Sequence, residues 1–180
     1  MAWEELPMGA SGWYYTVDYQ ADIGAALQRL RRDVYERGEY YKEQPGEDLD
    51  MTEAEFRASL GEPAEDDDGQ YEFLLEEWLE RKSRPVPVDP DTLLAAQAES
   101  GTHSIIDMGN GVSAGPQFAT VSPLTGEGLI HAFGTETPSS EQVQRWIVGC
   151  GDRERWVGTY VVSYRDGAPH QLHFCGFSGD

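Results

Sequence analysis

The chain is 180 residues long, 39% hydrophobic and 11% aromatic, and carries a formal net charge of −20. That length and apolar content suit one domain with a real core and exclude wholesale disorder. The charge excludes nucleic acid and anionic membrane surfaces as favoured partners, since both would repel the chain, and points to a cationic one.

At the N-terminus, Met1-Ala2-Trp3-Glu4-Glu5-Leu6 lacks the basic and apolar regions of a signal peptide, so the expected compartment is the cytoplasm. No stretch approaches the ~20 apolar residues of a membrane helix. Trp13 to Tyr19 is aromatic and β-branched and reads as a strand. Asp22 is placed to cap a helix whose apolar positions, Ile23, Ala26, Leu27, Leu30 and Val34, fall on one face, with Gly38 as its stop. Thr52-Glu53-Ala54-Glu55 has the spacing of a capping box, opening a helix to about Leu60 before Gly61 and Pro63. Glu65-Asp66-Asp67-Asp68-Gly69 reads as a self-repelling loop. Tyr71, Leu74, Leu75, Trp78 and Leu79 then mark the apolar stripe of another helix. The proline-containing connection 83–90 must be extended up to Asp89-Pro90, which caps a helix running to about Glu99.

In the second half, Ser104-Ile105-Ile106-Asp107 reads as a buried strand and Gln117 to Ser122 as another, joined by a glycine-rich loop over 109–116. Leu129, Ile130 and Phe133 mark a short helix ending at Gly134. Ser139 and Gln142 have capping-box spacing before the inward positions Val143, Trp146 and Ile147. Trp156 to Tyr164 and Gln171 to Phe177 flank Asp166-Gly167, the signature of a type I′ hairpin. This order predicts an α+β fold: a single domain over 1–180, with a mostly antiparallel sheet and helices packed on one face.

The acids are unevenly spread. Residues 43–80, an acidic helical segment, hold 15 acids against Arg57 alone and so carry −14 of the −20. An even spread, together with the scarcity of lysine (Lys42 and Lys82 against 11 arginines), would suit salt adaptation. Crowding favours an acidic face or tether instead. Tyr40 and Tyr41 lie just before it, and tyrosine beside carboxylate grips arginine by cation–π contact and charge. The candidate partner-binding residues are Tyr40, Tyr41, Glu65, Asp66, Asp67, Asp68, Glu72 and Glu76.

Signatures of catalysis are weak. Zinc needs about four converging ligands, with close pairs in sequence. His170 and His173, three apart on a strand, point to opposite faces, and His103, His131, Cys150 and Cys175 add no close pair. No metal or cofactor is expected, and the two cysteines read as reduced thiols. There is no G-x-S-x-G. The weak catalytic candidates are His103, Asp107, His173 and Cys175, the last two sharing a strand face. Gly109-Asn110-Gly111 lacks the lysine of a phosphate loop, and Asp66, Asp67, Asp68 and Glu72 lack the spacing of a calcium loop. The expected function is therefore a non-enzymatic acidic binding protein that engages or masks a basic protein, of the immunity, antitoxin or inhibitor kind by charge and size. The alternative is a small enzyme or small-ligand binder with a His/Asp/Cys site over the sheet.

Overall fold

The C-terminal hairpin organises the sheet. The computed structural model describes residues 11–42, 47–63, 69–98, 100–148 and 154–178. Its elements run β1 (Gly12–Asp18), α1 (Ile23–Arg37), α2 (Glu53–Leu60), α3 (Gln70–Ser83), α4 (Pro90–Ala96), β2 (Gly111–Val112), β3 (Thr120–Pro123), α5 (Gly126–Phe133), α6 (Ser140–Val148), β4 (Val157–Arg165) and β5 (Ala168–Phe177). Short 3-10 turns occupy Glu47–Asp50 and Ile105–Asp107. Asp166 and Gly167 join β4 to β5 with positive φ at both positions, 52° and 78°, as a type I′ turn demands.

The sheet order is β1-β5-β4-β3-β2. β5 is antiparallel to β1 and β4, the long pairings, whereas β3 and β2 add parallel at the far edge. The parallel join of β3 to β4 needs a long crossover, which α5 and α6 supply. The fold is α+β with a mostly antiparallel, mixed sheet, in line with the order of elements read from the sequence.

Alternation divides the strands between two faces. Leu172, Phe174 and Gly176 share a face with Trp13, Tyr15 and Val17, while His173 and Cys175 turn to the other with Tyr14 and Thr16. α1 covers the first face through Ala26, Leu27, Leu30 and Val34, and Leu93, Ile105, Ile106 and Met108 complete that core. A Cβ at Gly176 would overlap the Trp13 ring, so glycine lets the indole lie flat against β5. α1 and α4 thus form the expected helical layer. α6 adds to the opposite face, where the Ser140 hydroxyl meets Ser163 at 2.8 Å and Gln171 at 2.7 Å.

Two local expectations are corrected. Ser104 to Asp107 is not a strand but a 3-10 turn, whose Ile106 N–H bonds the Ser104 hydroxyl at 3.2 Å. Its burial, which suggested a strand, is real: all four residues are fully buried. The partner of β3 is instead Gly111–Val112, inside the expected glycine-rich loop. α4 ends at Ala96 rather than near Glu99. Gln97 leaves the helix there, and its side-chain amide donates to the Tyr41 and Gly101 carbonyls at 3.1 and 3.2 Å.

By contact, Met1–Lys42 with Val88–Asp180 form one unit and Glu43–Pro87 a second. The second has its own small core of Phe56, Leu75 and Trp78, edged by Leu49, Met51 and Leu60. Phe56 and Trp78 stack at 4.6 Å, the Trp78 indole N–H donates to the Asp48 carbonyl at 2.8 Å, and Arg81 pairs with the Asp48 carboxylate. The Thr52 capping box expected at the start of α2 is present. Among the described residues, no helix is long and apolar enough to cross a membrane.

Candidate functional site

The four weak catalytic candidates are not brought together. His173 is fully buried, with Nδ1 2.9 Å from the Tyr14 hydroxyl and 3.2 Å from that of Thr16, and Nε2 2.9 Å from that of Ser163. Burial, and secondarily the charge of His170, lowers its pKa to about 4, so the ring is neutral at ordinary pH. Ser163 is fully buried beneath Ser140, which leaves a Ser–His contact with no path for a substrate. The Cys175 thiol lies 3.6 Å from the Thr159 carbonyl. His103 faces elsewhere: its Nδ1 is 3.3 Å from the Ser11 hydroxyl and its ring stacks on Tyr41 at 4.4 Å. Asp107 sits in the 3-10 turn on the α1 side of the sheet. Among the described residues, no three His, Cys, Asp or Glu side chains converge on a point that could hold a metal ion.

Asp107 belongs instead to a cleft of about 400 Å³ between α4, the 105–110 segment and Trp156. Pockets for small groups start at about 300 Å³. Apolar walls come from Leu94, Ala95, Ala98 and Phe118. At the floor, Asp107 Oδ1 accepts from the Thr102 N–H and hydroxyl, both at 2.7 Å, and Thr102 Oγ1 is 2.9 Å from Ser104 Oγ. Asp107 Oδ2 is buried with no partner among the described residues. An unmet buried acceptor of this kind costs about 1–3 kcal/mol. Nearby, Arg31 is buried and spends its guanidinium on the Ile106 carbonyl and, at 2.7 Å, on Asp91. Its charge is matched by Asp91, whereas Asp107 has no ion-pair partner among the described residues.

The backbone around the cleft is strained. Ala119 and Trp156 hold left-handed conformations, φ 55° and 60°, outside any glycine, and the Ala119 N–H donates to the Trp156 carbonyl at 2.7 Å. Such conformations cost on the order of 1–3 kcal/mol each and persist where the surroundings impose them, often at functional sites. Gly101, at φ 69°, has a second constraint: a Cβ there would stand 3.0 Å from the Trp156 ring edge and 3.3 Å from Asp107 Oδ2. Glycine therefore leaves room for both the indole edge and the carboxylate to approach its backbone. At the rim, the Phe118 ring is 64% exposed and lies 5.5 Å from the ring of Trp156.

Comparison with protein-family models, with curated proteins and with solved structures found no match.

Of the candidate partner-binding residues, Glu65, Asp66, Asp67 and Asp68 lie outside the described residues. Tyr41 is 42% exposed, with its ring on His103 and its N–H bonded to the Thr102 carbonyl at 2.8 Å. Tyr40 is half-buried, stacked on Tyr35 at 5.9 Å, with the Lys42 ammonium 5.3 Å from its ring centre, so its cation comes from its own chain. Glu72 and Glu76 are exposed on α3, as is Glu77, and none of the three pairs with a base among the described residues. The Phe73 ring beside them is 64% exposed. Leu75 and Trp78 hold the opposite side of α3 in its core. The acids of this helix are thus mounted on a folded scaffold.

Sequence reasoning passed over Phe118, Trp156 and Gly101. Phe118 and Trp156 stood inside runs read as strands, and a left-handed backbone at a non-glycine residue leaves no local mark.

Proposed function

We propose that this chain is a non-enzymatic, cytoplasmic acidic binding protein that engages or masks a basic protein partner, in the manner of an immunity protein, antitoxin or inhibitor. The observation that carries this reading is the outer face of α3. Glu72, Glu76 and Glu77 stand exposed there, with no ion pair among the described residues, beside an exposed Phe73, on a helix anchored by Leu75 and Trp78. Like charges one turn apart, as at Glu72 and Glu76, destabilise a helix by about 0.2–0.5 kcal/mol per pair. A basic partner would turn that repulsion into attraction and steer its own approach. The exposed ring adds apolar contact of the kind that anchors interfaces.

The test is capture from native lysate at low ionic strength by the full chain and by the variant Glu72→Lys/Glu76→Lys/Glu77→Lys. A basic protein is expected to bind the first, to elute as salt rises, and to be lost from the second, while circular dichroism and melting temperature of the variant stay unchanged. Screening acts over about 10 Å at 0.1 M salt. Retention that is indifferent to ionic strength, or to the reversal of charge on α3, overturns the reading.

A further inference from the structure

We propose that the cleft over Asp107 is a receptor for one arginine side chain of the basic partner; this rests on the reading of a basic partner, though the cleft belongs to the other unit of the chain than α3. Three observations converge. The first is the buried Asp107 Oδ2, which lines the cleft and has no donor among the described residues, while its sister oxygen is held in place by Thr102. A group that supplies N–H donors and a positive charge satisfies both deficits, and Arg31, which bonds the neighbouring Ile106 carbonyl, is already matched by Asp91. The second is the wall chemistry. Leu94, Ala95 and Ala98 offer an apolar surface that suits the three methylenes of an arginine stem. The third is the aromatic pair at the mouth. Phe118 and Trp156 lie 5.5 Å apart, and a planar guanidinium stacks on such rings where a compact ammonium does not. The volume of about 400 Å³ fits a single side chain rather than an extended segment.

Asp107 is sealed from bulk water, with the Trp156 ring edge and Oδ2 both lying over Gly101. An entering guanidinium therefore reaches the carboxylate by shifting that ring edge. Trp156 becomes the reporter of binding, and its left-handed backbone is the strained element poised to adjust.

The probe is n-propylguanidinium, with n-propylurea as its uncharged counterpart, titrated into the purified full chain and followed by nitrogen–proton NMR correlation spectra. Propylguanidinium is expected to shift the Trp156 indole N–H and the Asn110 amide and to saturate. Propylurea is expected to bind at least tenfold more weakly. Asp107→Asn keeps the shape and the bonds from Thr102 but removes the charge, and should weaken the probe tenfold or more. Phe118→Ala alters an exposed ring without touching the core; it should weaken the probe several-fold at unchanged melting temperature, and it decides the matter if Asp107→Asn fails to fold. Equal binding of the urea, shifts confined to residues away from the cleft, or full affinity in both variants overturns the site. To identify the source of the guanidinium, Phe118→Ala is carried into the lysate capture. Reduced retention of the basic protein supports an arginine of the partner, and undiminished retention overturns it. The α3 charge-reversal variant should still bind propylguanidinium normally, so failure of the acidic-face reading and failure of the cleft remain separate results.

Discussion

His173 illustrates how one side chain can couple the stability of this fold to pH. The imidazole is enclosed by Tyr14, Thr16 and Ser163, and burial lowers its pKa from 6.5 to about 4. The folded chain resists a proton that the unfolded chain accepts between those values. Stability must therefore fall as pH drops from about 6.5 to about 4 and lose nothing further through this group below that. The full effect is on the order of 3 kcal/mol. His173→Gln retains hydrogen-bonding atoms but cannot titrate, so thermal melts of this variant should show a flattened slope across that window; an unchanged slope assigns the dependence elsewhere. Glu55 and Asp89 have pKa values lowered by their bonds to Thr52 and Thr92, so the stability they contribute is lost only at more acid pH, as each carboxylate protonates. Sequence placed His173 and Cys175 on one strand face, which holds, yet it could not show that hydroxyls from β1 and β4 surround the ring, because those contacts join residues 159 and 10 positions apart.

The elements that formed as read are those with a strong local signal. α1 opens at Asp22, whose side chain accepts from the Ala25 N–H at 2.9 Å, and α2 opens on the reciprocal bonds of Thr52 and Glu55. The hairpin closes on Asp166-Gly167. The segment 104–107 went the other way: its apolar run signalled burial correctly, but Thr102, Ser104 and Asp107 form a hydroxyl–carboxylate chain that holds a turn rather than a ladder. In the Glu43–Pro87 unit, three side chains carry the core, so the unit is sensitive to each. Trp78→Ala should cost about 3–5 kcal/mol locally and unfold that unit first. Thr52→Ala should cost about 1 kcal/mol through loss of the cap. Hydrogen exchange resolves the two: with Trp78→Ala, amides of α2 and α3 should lose protection while those of β4 and β5 keep it. Uniform loss through both units would show that they open together.

For the whole molecule, the charge of −20 is the dominant long-range term. Compact like charge repels itself, and among the described residues a few ion pairs, mostly exposed, offset it. Raising ionic strength from about 0.01 M to about 0.15 M shortens the screening length from about 30 to about 8 Å. The melting temperature should rise over that range by calorimetry; a fall would mean that the exposed pairs outweigh the repulsion. Composition and local pattern by themselves determined the acidity, the crowding of acids into 43–80, most helices with their caps, and the α+β class, because charge, helical periodicity and turn chemistry act between near neighbours in the chain. Only the tertiary structure decided the parallel edge of the sheet, the turn at 105–107, and the approach of both Asp107 and Trp156 to Gly101. Those depend on which distant segments pack together and on where a strained backbone is held in place, and neither leaves a signature in adjacent residues.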